Sequence, residues 1–183
     1  MGMLVAGLLL FFTVHLFPSL RSQRQQVMDR FGANRYKIVF SVLSIIGLAL
    51  IVKGYSSADY SEIWAAPAWG RSLSPFFMLP ACYAFVASGT ASNLKRFTRS
   101  PLAWAVLLWA LIHLLNNGDL ASVLLFGSFA LYAVFNMWST RQRPEPELVP
   151  IAGRREAVLM CISVLVYITL LIFHPALFGV AVF

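Results

Sequence analysis

Apolar runs and polar stretches alternate along the whole chain. Six apolar segments stand out: Met3–Leu20, Tyr36–Lys53, Leu73–Gly89, Pro101–Asn117, Leu120–Trp138 and Ala157–Phe178. Most approach the ~20 residues that a helix needs to cross ~30 Å of hydrocarbon. The fourth is the shortest, and the third holds Pro75 and Pro80, where a kink is expected and buried neighbours can accommodate it. No internal repeat, heptad pattern or low-complexity tract interrupts the series. The pattern predicts an all-α integral membrane bundle of about six transmembrane helices, one domain over residues 1–183, with a Pro-rich polar linker at 141–155 before the last helix.

Composition sharpens that picture. Of 183 residues, 60% are hydrophobic and only 11% are charged, against about 25% charged in an ordinary soluble domain. The opening MGMLVAGLLLFFTVHLFPSL lacks a basic n-region and a small-residue cleavage site, so it reads as a retained first helix. A formal charge of +7 would suit nucleic acid, but the basic residues fall in loops between apolar spans. The first loop carries Arg21, Arg24, Arg30, Arg35 and Lys37. The third carries Lys95, Arg96 and Arg99, and the fifth Arg141, Arg143, Arg154 and Arg155. Only Lys53 and Arg71 lie in the second loop, and none in the fourth. Twelve of the 14 basic residues therefore sit in odd loops, which predicts that those loops are cytoplasmic and both termini outside. Trp64 and Trp69, in the second loop, suit an interfacial stretch on the outer face. The basic first loop is read chiefly as a topology signal, with attraction for anionic lipid as the rival reading.

Ionisable residues at membrane depth are expensive and functional by default. Two of the three histidines, His15 and His113, lie inside apolar runs. At ~1.5 Å per residue, His15 lies ~18 Å from the outer edge, counted from Met3, and His113 ~18 Å from the inner edge, counted from Pro101. Across a ~30 Å core that leaves them only about 6 Å apart in depth. Two imidazoles on antiparallel helices at one depth can ligate one iron from opposite faces of a porphyrin. The alternative is that each merely hydrogen-bonds a neighbouring backbone or hydroxyl group, as helix-packing polar residues do. Thr13, Ser122 and Ser128 are the expected acceptors for the rings' second N–H.

Other chemistries find less support. A zinc site would want three or four ligands, and no Cys-His-carboxylate cluster appears. There is no Gly-rich phosphate loop and no Ser-His-carboxylate set at depth. Cys82 and Cys161 read as small buried hydrophobes, and His174 as an interfacial residue. In Asn116-Asn117-Gly118-Asp119 a tight turn is expected, with Gly118 at positive φ and Asp119 capping the next helix.

Several motifs resemble those of the NnrU family. They include Thr13-Val14-His15-Leu16-Phe17-Pro18-Ser19-Leu20-Arg21 and Arg30-Phe31-Gly32-Ala33-Asn34-Arg35-Tyr36-Lys37. Others are Thr98-Arg99-Ser100-Pro101 and Trp109-Ala110-Leu111-Ile112-His113-Leu114-Leu115-Asn116-Asn117-Gly118-Asp119-Leu120-Ala121-Ser122. The run Leu124-Leu125-Phe126-Gly127-Ser128-Phe129 and the ending His174-Pro175-Ala176-Leu177-Phe178-Gly179-Val180 complete the set. That family is similar to the plant and cyanobacterial 15-cis-zeta-carotene isomerase, an integral membrane haem b protein with two axial histidines. The resemblance implies haem b (Fe) held by His15 and His113 in a multi-pass bacterial inner (cytoplasmic) membrane protein linked to denitrification and nitric oxide. Arg96 and Arg99 are candidate propionate partners, with plain topology charges as the rival reading. Two departures stand out: Ser100 replaces the family's common histidine, and Ala110 stands where the isomerase has a cysteine.

The functional expectation is a redox or nitrogen-oxide-linked haem protein, as a sensor or an electron-transfer component. One alternative is a haem-dependent cis-trans isomerase acting on a hydrophobic polyene such as a carotenoid. A second is a cofactor-free membrane assembly protein. The expected partners are the lipid bilayer, haem, and a hydrophobic small molecule or nitric oxide, with no nucleic acid.

Overall fold

A computed structural model describes residues 1–143 and 150–179. Residues 144–149 of the expected polar linker, and Val180 of the C-terminal motif, lie outside the described residues. The elements are α1 (Gly2–Leu16), a 3-10 turn (Phe17–Ser19), α2 (Arg21–Phe31), α3 (Ala33–Ser56), α4 (Gly70–Ser88), α5 (Leu94–Phe97), α6 (Pro101–Asn116), α7 (Leu120–Arg141) and α8 (Gly153–Phe178). Each of the six apolar segments becomes one helix: α1, α3, α4, α6, α7 and α8. Among the described residues no strand forms, only an isolated bridge between Glu62 and Asp119.

Among the described residues four helices are long and apolar enough to cross a membrane: α1 with its 3-10 turn, α3, α7 and α8. Their apolar side chains are largely turned outward. Ile45 is 66% exposed and Ile172 65%, a surface that water would oppose and a bilayer accepts. α6 is a shorter apolar helix. α4 stays helical through both Pro75 and Pro80.

The first polar loop corrects the reading. Residues 21–31 form a helix, and α3 begins at Ala33 rather than Tyr36. Apart from half-buried Val27 and Met28, α2 is exposed on every side. It therefore lacks the apolar stripe that announces a packed helix, although Arg, Gln and Met are good helix formers. Gly32 ends it at φ +88°, a conformation that glycine adopts freely.

The chain divides into two compact units. The first comprises Met1–Ile63 and Asp119–Ser128, and the second Trp64–Gly118 with the described residues from Phe129 on. In the first, α1 and α3 pack antiparallel with Leu4 against Gly54, Gly7 against Ile51 and Phe11 against Gly47. Glycines at these crossings let backbones approach closely, as membrane helix pairs favour. A Cβ on Gly7 would stand 2.7 Å from the Ile51 nitrogen. Gly7→Val is therefore expected to cost ~1–3 kcal/mol of overpacking, read as a lower thermal midpoint in detergent. An unchanged midpoint would contradict this packing.

The same unit holds a polar chain. The Ser122 hydroxyl donates to Asp119 Oδ2 at 2.5 Å, and the Ser122 backbone N–H to Oδ1 at 3.0 Å. The Tyr55 hydroxyl pairs with Ser122 Oγ at 2.9 Å. Because a carboxylate only accepts and Ser122 has one proton to give, Tyr55 must donate to Ser122. Asp119 thus caps α7 as the sequence suggests.

In the second unit α4 packs on α6 and α8 through small side chains. Ala81, Ala84 and Ala87 of α4 and Ala103, Ala105 and Ala110 of α6 are all buried. The start of α8 is tied to the α4–α5 connection. The Glu156 carboxylate accepts from the Tyr83 hydroxyl, from the Asn93 backbone N–H at 2.9 Å and from Ser92 Oγ at 3.4 Å. The Asn93 side chain exchanges two hydrogen bonds with the Ile151 backbone, at 3.1 and 3.2 Å. Removing one carboxylate orphans several donors at once, so Glu156→Ala is expected to cost about 1–3 kcal/mol and to speed proteolysis at the start of α8. Wild-type protease resistance would refute that.

Candidate functional site

His15 lies in the last turn of α1 and His113 in the last turn of α6. The first ring belongs to the first unit and the second to the second.

Both rings are half-buried and share one local geometry. His15 Nδ1 lies 2.8 Å from the Phe11 carbonyl oxygen, and His113 Nδ1 lies 2.8 Å from the Trp109 carbonyl oxygen. In each case the partner is the backbone four residues earlier. A carbonyl can only accept, so each Nδ1 carries the proton and donates it. The neutral ring then holds its lone pair on Nε2, the arrangement in which a metal-ligating histidine is oriented by its other nitrogen.

These acceptors correct the expectation of Thr13, Ser122 or Ser128. Ser122 is engaged by Tyr55 and Asp119, and Thr13 is exposed. A backbone carbonyl on the histidine's own helix was always closer, since the preceding turn lies directly beneath a helical side chain.

Aromatic rings line both histidines. Phe11 stacks on His15 with centroids 3.9 Å apart, and Phe40 lies 5.1 Å away. Trp109 lies 5.3 Å from His113, and Phe129 meets Trp109 edge-on at 5.6 Å. Flat apolar walls beside a nitrogen donor suit the face of a porphyrin better than a small hydrated ion. Among the described residues no group of three or more His, Cys, Asp and Glu is arranged to hold a metal ion. Each imidazole, taken by itself, is a single nitrogen donor beside aromatic walls, the kind of residue that can serve a haem iron.

The end of α6 is held by a turn with no room to spare. The Asn117 backbone N–H and side-chain amide both donate to the His113 carbonyl, at 2.9 and 2.8 Å. Only Gly32 and Gly179 have positive φ among the described residues, so Gly118 does not supply the expected left-handed turn. Its role is space, because a Cβ there would overlap the Trp64 carbonyl oxygen.

The remaining predicted positions are placed as follows. Arg99 Nη1 donates to the carbonyls of Arg141 and Arg143, at 3.1 and 3.3 Å, closing the end of α7. Arg96 is exposed in the last turn of α5. Ser100 is buried at the N-cap of α6, and Ala110 is fully buried. Cys82 is buried and Cys161 exposed, both free thiols. His174 lies 4.8 Å from Phe178 on α8. Sequence reasoning missed Tyr36, whose hydroxyl oxygen is enclosed. The visible signal was its place in the Arg30–Lys37 motif.

The model of the family described as NnrU protein matches residues 3–182, nearly the whole chain. No curated protein and no solved structure matches it. With that match over the all-helical, membrane-suited architecture, the chain belongs to the NnrU protein family.

Proposed function

We propose that this chain is a haem b protein of a bacterial inner membrane. In this reading six helices cross the bilayer with both termini outside, and His15 and His113 would hold the haem iron. The observation that carries the reading is a shared geometry: each imidazole donates its Nδ1 proton to the carbonyl one turn back, the kind of second-nitrogen hydrogen bond that orients a metal-ligating histidine.

Bound haem would supply one-electron chemistry, with a potential set by its axial ligands and surroundings. The chain's own contribution is positional. The Phe11 and Trp109 carbonyls fix the ring planes, Phe11 and Phe40 flank the His15 ring, and Trp109 flanks the His113 ring. Arg96 and Arg99 remain the cations proposed for a propionate, Arg99 while also holding the end of α7. A role in redox or nitrogen-oxide metabolism follows more readily than isomerisation. Fully buried Ala110 offers no thiolate in α6 to take over a coordination position from His113.

The test is the absorption spectrum of the purified protein, oxidised and reduced, beside His15→Ala and His113→Ala. A Soret band in the wild type that is lost in both variants supports the reading. Its absence from haem-replete wild type removes it.

A further inference from the structure

Tyr36 carries an enclosed hydroxyl oxygen with no hydrogen-bond partner among the described residues. A buried donor without an acceptor costs ~1–3 kcal/mol, and native proteins rarely leave one. Its ring neighbours, Phe17 and Phe40, each 6.3 Å away centroid to centroid, supply no acceptor. The Arg24 guanidinium, by contrast, stands 5.8 Å over the Tyr36 ring. A phenol donor with a guanidinium beside it asks for an anionic oxygen, and a carboxylate answers both.

Position narrows the source of that oxygen. The register that sets Phe11 against Gly47 and Gly7 against Ile51 continues to place His15 opposite Leu43. Tyr36 lies seven residues before Leu43 on α3, ~10 Å along the helix. Phe40 bridges the interval, 5.1 Å from His15 and 6.3 Å from Tyr36. A flat macrocycle held at His15 and lying along the helices would therefore bring a peripheral carboxylate toward Tyr36, with aromatic rings beside its apolar body.

We propose that the Tyr36 hydroxyl, with Arg24 behind it, anchors a haem propionate in the first unit. The inference rests on the haem reading above and adds the residues that orient the group about its iron axis. Arg24 comes from α2, which gives that solvent-exposed helix a task beyond connecting α1 to α3.

The test deletes the carboxylates chemically as well as their partners. Apoprotein of the full chain is titrated with haem and with haem dimethyl ester, following the Soret band, for wild type, Tyr36→Phe and Arg24→Gln. The wild type is expected to bind haem more tightly than the ester. Tyr36→Phe should weaken haem about tenfold and leave the ester unchanged. Arg24→Gln should weaken haem about threefold, again without effect on the ester. Equal loss for haem and ester, or no loss for either, overturns the anchor while leaving the histidine reading intact. Equal loss is what a purely structural Tyr36 gives, and no loss is what a lipid phosphate at Tyr36 gives. A wild type that binds neither porphyrin overturns both proposals together.

Discussion

On the haem reading, substituting His113 with alanine should lower haem retention by the purified protein more than tenfold. Even an outer partner of a metal ligand changes affinity 10–100-fold, and a ligand itself should do no less. Helix α6 should survive the change, because alanine is the best helix former and its backbone N–H still reaches Trp109. Loss of the Soret band would thus report ligation rather than unfolding, and unchanged circular dichroism checks this. His15→Ala is expected to behave alike, since its ring is held the same way by Phe11. If one variant keeps its haem in full, the iron has a single protein ligand, and the retained histidine names it. If both keep it, the assignment is wrong.

Gly118→Ala should be nearly as damaging, with no change in charge or polarity. The added methyl would overlap the Trp64 carbonyl oxygen, whose own backbone N–H donates to the Gly118 carbonyl at 3.1 Å. Backbone presses on backbone there, so no side chain can rotate aside. The cost is expected at ~3 kcal/mol, the upper range for overpacking. The turn also carries Asn117, which holds the His113 carbonyl, so strain there reaches the candidate ligand. The variant should show a lower thermal midpoint and, on the haem reading, a weaker Soret band. A midpoint within error of the wild type would mean that the loop before α4 yields without cost.

What was legible followed from what hydropathy can express. Six apolar runs gave six helices, four of them long and apolar enough to cross a membrane among the described residues, because such a helix is written as continuous hydrophobicity. His15 and His113 stood out as polar letters in apolar words. The acceptors of their protons did not, since the Phe11 and Trp109 carbonyls belong to a backbone that every residue has. α2 escaped notice because it is exposed nearly all round and so carries no periodic stripe. Gly118 was recognised as necessary but for the wrong reason, because freedom of φ is visible locally whereas the neighbour Trp64 is 54 positions away. Glu156 falls between the linker and the last apolar run, and only folding brings Tyr83, Ser92 and Asn93 to it. Tyr36 stood only as the first residue of an apolar run and as part of the Arg30–Lys37 motif, and nothing local marks its hydroxyl as enclosed.

The first unit is also built in two instalments. Its α1–α3 contacts are local, so they can form as soon as the first 56 residues leave the ribosome, well before α7 is translated. Tyr55, next to last in α3, is then in place long before its partner, because Ser122 follows 67 positions later. The Tyr55–Ser122 bond therefore closes only once α7 is made, which ties completion of the first unit to a helix translated much later.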